Sequence, residues 1–174
     1  MRAERPEPVA VRPATSDDLP AMGRLGALLV DAHHDFDPQR FIAAAPQTEQ
    51  RYASFLGTQL RDANVVVLVA ERAGNLVGYT YAGVEGYDYM SLRGPAGVLY
   101  DIVVDPGQRG QGVGRTLLDA TLAALAARGA PRVVLSTAER NDAAQRLFAH
   151  AGFRRTMIEM TRELNQGRGS QHTE

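Results

Sequence analysis

The chain has 174 residues, 44% of them hydrophobic and 22% charged, the size and balance of one domain with a core of its own. Its formal net charge of −1 excludes an overall field that would draw nucleic acid or an anionic membrane, so any anionic ligand must be held by local groups. With no cysteine there is no disulfide, no thiolate metal site and no cysteine nucleophile.

Residues 1–8 are polar and contain proline, residues 165–174 are polar and contain glycine, and both are expected to be flexible tails around a domain spanning 9–164. Val9–Arg12 predicts a strand, and the Thr15-Ser-Asp-Asp cluster supplies caps for a helix from Leu19 to Val30. Asp31–Pro46, with His33, His34, Asp35 and Asp37, reads as a loop, and Thr48–Arg61 as a second helix. The β-branched run Asn64–Glu71, a turn, and Leu76–Val84 predict a hairpin, and Gly86–Gly97 is irregular. Val98–Val104 is apolar apart from Tyr100 and Asp101 and is expected to be central and buried on both faces. A long helix from Gly112 to Arg128, a strand at Arg132–Thr137 and a helix from Asn141 to His150 follow. Thr156–Glu163 alternates with the period of a strand. The mixture predicts an α/β or α+β domain around one central sheet. The longest apolar runs, Val65–Ala70 and Leu122–Ala127, are far too short for a membrane helix, and the N-terminus lacks the apolar stretch of a secretion signal, so a cytoplasmic protein is expected. Scattered basic residues predict no nucleic-acid partner.

Arg109-Gly110-Gln111-Gly112-Val113-Gly114-Arg115 joins the buried strand to the long helix. Glycines at alternate positions let the backbone approach a ligand closely, and the helix start offers unpaired N–H groups and partial positive charge. That is an anion site suited to phosphate oxygens. A dinucleotide fingerprint would need G-x-G-x-x-G, and a nucleoside-triphosphatase loop a G-K-[ST] ending; neither is present. A diphosphate on a pantetheine carrier is the third reading, and a glycine turn that binds nothing the fourth.

These residues closely resemble the GNAT superfamily of acetyl-coenzyme A-dependent N-acetyltransferases. The family places [RQ]-x-x-G-x-[GA] after a strand ending in a V-x-P-like element, here Val104-Asp105-Pro106 before Arg109. Its later N-x-x-A-x-x-L-[YF]-x-x-x-G-F is matched from Asn141 through Ala144, Leu147 and Phe148 to Gly152 and Phe153. The resemblance implies a mixed, twisted sheet that splays open at the cofactor cleft, flanked by helices. It implies acetyl-CoA as co-substrate and no metal, with the pantetheine arm along the backbone of Ile102, Val103 and Val104. The pyrophosphate would lie on the amides of Arg109, Gly110, Gln111, Gly112, Val113, Gly114 and Arg115. Asn141 would bond near the pantetheine and Phe148 pack by the thioester sulfur. A homodimer is frequent in such proteins.

The expected reaction is acetyl transfer to the primary amine of a small molecule, by direct attack in a ternary complex. A protein or peptide acceptor, or an acyl-CoA-binding sensor without turnover, stand as alternatives. The amine must lose its proton before it attacks, and a donor such as the Val104 N–H should face the oxyanion. Asp101 and Tyr100 interrupt the apolar strand at the expected reaction centre, and strand alternation lets one of them face the cleft. Asp101 is a base, orients one, or is a structural carboxylate. Two positions depart from the family: Phe148 stands where many members carry a tyrosine acid, and Ser136 where ribosomal-protein acetyltransferases carry a glutamate base. His33, His34, Tyr87, Tyr89 and Ser136 are candidate acceptor contacts, each with a plain structural alternative.

Overall fold

The computed structural model describes residues 7–164, so most of the two expected tails lies outside the described residues. Five strands form one sheet in chain order: β1 (Ala10–Pro13), β2 (Val65–Arg72), β3 (Asn75–Glu85), β4 (Ala96–Val104) and β5 (Val133–Leu135). The first four pair antiparallel, and β5 runs parallel to β4. Four helices flank this mixed sheet: α1 (Leu19–Phe36), α2 (Thr48–Gln59), α3 (Val113–Ala127) and α4 (Asp142–His150).

The period of β2 assigns its two faces. Val66, Leu68 and Ala70 enter a core with Leu117, Leu118 and Leu125 of α3 and Phe148 of α4. Val67 and Val69 enter a second core with Met22 and Leu25 of α1, Leu56 of α2, Tyr79 and Val103. The β2–β3 hairpin turns through Ala73 and Gly74, both at positive φ (51° and 74°), the geometry that matches strand twist in a two-residue turn. A Cβ on Gly23 would stand 2.5 Å from the Glu49 carbonyl oxygen, and one on Gly26 would stand 2.2 Å from Cδ1 of the Tyr52 ring. Glycine at these positions is what lets α1 and α2 pack closely enough to press Tyr52 toward the sheet. Arg12 ties β1 to the start of α1 by donating to both oxygens of Asp18 at 2.8 and 2.9 Å. That bond is the main cause holding the Asp18 carboxyl down at about 2, below its ordinary 3.8. Its contribution to stability is present above the ordinary value and lost as pH falls through about 2.

Three expectations need correction. Helix α1 does not stop at Val30 but runs to Phe36, so His33, His34 and Asp35 are helical. Nothing in Asp31–Phe36 breaks a helix, and the stop comes where Asp37 precedes Pro38. The segment Thr156–Glu163 is not a strand in this structure; period-2 patterning has no ladder partner here. Strand β4 is not buried on both faces throughout, because Tyr100 is 40% exposed. Among the described residues no helix is long and apolar enough to cross a membrane.

Candidate active site

Strand β5 meets β4 only at Gly97–Leu99, and its successors Ser136 and Thr137 leave the sheet. From Tyr100 to Val104 the β5-facing side of β4 therefore has no strand beside it, and the sheet splays. A cavity of about 240 Å³ opens at this split. Its walls come from α1 (Leu29, Val30, His33), the following loop (Phe41, Ile42), β4 (Leu99–Ile102), the end of β5 (Leu135–Thr137) and α4. From α4 and its cap come Asn141, Ala144 and Phe148.

Simple alternation would admit one of Tyr100 and Asp101 to the cleft, yet both line it. The cause is a β-bulge. Opposite Tyr81 and Ala82 of β3 stand Asp101 and Leu99, so Tyr100 is an extra residue and the strand face changes there. Tyr100 lies over the Tyr81 ring, 4.6 Å between centroids, and donates its hydroxyl proton to Glu85. Burial, with the bond to Glu85 second, raises the phenol above its ordinary range.

Asp101 has the most distinctive surroundings in the cavity. The Tyr52 hydroxyl donates to its Oδ2 at 2.6 Å and the Tyr79 hydroxyl to the same oxygen at 3.1 Å. Both phenols are themselves pushed upward by burial first and the nearby carboxylate second, so they stay protonated as donors. Among the described residues Oδ1 has no hydrogen-bond partner. Burial raises the Asp101 carboxyl above its ordinary 3.8, against the lowering effect of the two phenols and of His33. His33 is oriented by its Nδ1, which donates to the Leu29 carbonyl oxygen at 2.8 Å.

The glycine loop has the form of an anion cradle. Gly110 and Gly112 adopt positive φ (72° and 84°), and a Cβ on either would meet nothing within 4 Å, so open space lies beside the backbone. Gly112 is the N-cap of α3. Gly114 instead packs closely, its would-be Cβ 3.4 Å from Leu147. Val113 is buried in the core. Arg109 donates to the Val104 carbonyl at 3.2 Å and, among the described residues, has no carboxylate partner. Arg115 is engaged by Asp119, with both contacts at 2.9 Å. Ile102 and Val104 are half-buried beside the split, while Val103 points into the second core. Asn141 caps α4 by accepting from Ala144 N at 3.2 Å, and Phe148 stacks edge-on to Phe153 at the cavity floor.

Three predicted acceptor contacts stand outside the cavity. His34 binds the Phe41 carbonyl through Nδ1, and Tyr87 and Tyr89 stack on each other in an exposed loop. His33 and Ser136 do line the cavity. Among the described residues no three His, Asp or Glu side chains converge as metal ligands.

Sequence reasoning missed Tyr52 and Tyr79 as partners of Asp101, and it missed Arg72. That guanidinium, at the end of β2, donates from one nitrogen to Gln108 Oε1 at 2.7 Å and Gln111 Oε1 at 2.5 Å, clamping the loop from behind. Both acceptors are neutral, and among the described residues its buried Nε has no partner. Arg72→Ala is expected to weaken acetyl-CoA binding about tenfold, the worth of one charge-assisted bond network. It should leave kcat within about twofold, and Arg72→Lys should restore part of the loss. Calorimetry alongside steady-state kinetics reads both quantities.

A family model described as the Acetyltransferase (GNAT) family matches residues 29–153. A mycothiol acetyltransferase of Thermobispora bispora is 44% identical over 96 residues, covering 53% of this chain and 31% of that protein. The chain thus spans under a third of that relative's length. A mutant protein of Bacillus halodurans has the same fold, with TM-score 0.77 and 22% identity over 89% of this chain and 99% of that one. So does a GCN5-related N-acetyltransferase from Ralstonia eutropha, with TM-score 0.67 and 23% identity over 90% of this chain and 99% of that one. Because the family model spans both the glycine loop and the split sheet, the chain belongs to the acetyltransferase (GNAT) family.

Proposed function

We propose that the chain moves an acetyl group from acetyl-CoA to the primary amine of a small molecule, with Asp101 receiving the amine and its proton. The observation that carries this reading is Oδ1 of Asp101, which has no hydrogen-bond partner among the described residues, while its other oxygen accepts from two phenols inside the cavity at the split of the sheet. An entering ammonium pairs with Oδ1, and Tyr52 and Tyr79 hold the carboxylate in place. A carboxyl raised by burial is a better proton acceptor than an exposed one, which suits Asp101 to take the proton of the bound amine. The neutral amine attacks the thioester carbonyl and the Val104 N–H stabilises the oxyanion. The tetrahedral species gives the second proton of its cationic nitrogen to solvent and collapses with loss of the coenzyme A thiolate. Phe148 has no proton to give, so solvent protonates the thiolate.

A small acceptor is favoured by the cavity's volume of about 240 Å³ and by walls from two helices, a loop and two strands. The printed name of the Thermobispora bispora relative points the same way. Release of free thiol from acetyl-CoA, followed across a panel of amino sugars, aminoacyl compounds and lysine peptides, tests the reading. Turnover with small amines supports it. Turnover confined to peptides, or tight binding of acetyl-CoA with no acetylated product, contradicts it.

A further inference from the structure

Among the described residues that line the cavity, Asp101 is the one carboxylate, and no arginine or lysine joins it. The one basic side chain there, His33, commits Nδ1 to the Leu29 carbonyl and is met edge-on by the rings of Phe36 and Phe41. Arg40 and Arg140, each next in sequence to a lining residue, are engaged elsewhere. Arg40 donates to Glu159 at 3.0 Å and Arg140 to the Phe36 carbonyl at 3.1 Å. The rest of the wall that α1 and its following loop supply is apolar: Leu29, Val30, Phe41 and Ile42. Ile42 is 79% exposed, an apolar side chain kept at the cavity with little protein cover.

Resting on the acetyl-transfer reading above, we infer that the acceptor is an apolar monoamine, an aryl- or alkylamine whose only charge is the reacting ammonium. Charge decides against an amino acid. Its ammonium would pair with Asp101, but its carboxylate would enter the same cavity beside a second carboxylate and meet no arginine or lysine. A charge taken from water without a partner is costly, and a site that offers none rejects its bearer. Hydroxyl groups decide against an amino sugar. They would give up water against Leu29, Val30, Phe41 and Ile42, whose side chains neither donate nor accept. Ser136 and Thr137 offer two hydroxyls at the end of β5, too few to satisfy a sugar ring. An aryl or alkyl group instead takes apolar surface out of water on both sides of the contact, and covers Ile42 as it binds. A ring has the further advantage of an aromatic neighbour in Phe41.

Phenethylamine and phenylalanine differ only by the carboxylate, so the pair isolates the charge. With saturating acetyl-CoA, kcat/KM for phenethylamine should exceed that for phenylalanine at least about a hundredfold. It should exceed that for glucosamine at least about tenfold. Ile42→Arg places a cation at the cavity and should raise kcat/KM for phenylalanine at least about tenfold, through a lower KM, while phenethylamine declines. The wild-type comparison decides even if that variant misfolds, which circular dichroism records. Phenylalanine or glucosamine turned over as well as phenethylamine overturns the inference and leaves acetyl transfer to a small amine standing. A folded Ile42→Arg protein no better with phenylalanine overturns it too. If no amine is acetylated, the acetyl-transfer reading fails, and calorimetry of the same three compounds on the CoA-saturated protein tests the cavity by itself. Phenethylamine binding at least about a hundredfold tighter than phenylalanine then upholds the selectivity, and equal or absent binding overturns it.

Discussion

Asp101→Asn is expected to lower kcat about a hundredfold or more while leaving acetyl-CoA affinity within about twofold, the loss typical of removing a positioned base. Asparagine keeps the shape and an oxygen for the Tyr52 and Tyr79 hydroxyls, but it neither pairs with an ammonium nor takes its proton. Steady-state kinetics with calorimetry separates the two effects. The same substitution should raise thermal stability at neutral pH. The folded carboxyl binds its proton more tightly than an ordinary carboxyl does, because burial disfavours the charge. Between the ordinary value of 3.8 and the raised one, the folded state therefore holds more protons than the unfolded state. Stability of the wild type falls as pH rises through that window and stays lower above it. The variant lacks this penalty, so its advantage in Tm should be present at pH 7 and vanish near pH 3. A variant with wild-type kcat would remove Asp101 from the reaction, and one that loses stability at pH 7 would contradict the burial argument.

Gly112→Val is expected to weaken acetyl-CoA binding at least about a hundredfold, the worth of two charge-assisted bonds. The new side chain enters the open space beside the loop, where the proposed diphosphate lies. A β-branched residue at φ 84° also costs about 1–3 kcal/mol, which a melting curve records separately. Gly129, also at positive φ with open space, lies at the far end of α3 and serves as the control. Gly129→Ala should reduce Tm and leave affinity unchanged. Equal binding by the Gly112 variant and the wild type would mean that these amides hold nothing.

What was legible in the sequence is local. The glycine loop, the start of α3 and the Asn141 cap are each defined by a few neighbouring residues, and in the structure Gly112 is the N-cap of α3 and Asn141 that of α4. Asp101 was legible as an anomaly, a carboxylate in an apolar strand, but its environment was not. Tyr52 and Tyr79 arrive from 49 and 22 residues away, and Tyr52 reaches it only because Gly26 makes room. The bulge that turns both Tyr100 and Asp101 to the cavity is a property of β3 and β4 together. The polarity of Asp31–Phe36 read as a loop because helical periodicity weakens there; one side of it is polar and wet, and His33 faces the cavity. Thr156–Glu163 has the pattern of a strand, and pattern alone supplies no neighbour for it.

Calorimetric titration of the wild type with acetyl-CoA and, in parallel, with acetyl-pantetheine isolates the diphosphate that the loop is proposed to grip. Saturable binding of acetyl-CoA, with acetyl-pantetheine at least about a hundredfold weaker, is the predicted result. Equal affinities for the two, or no heat with either, would contradict it.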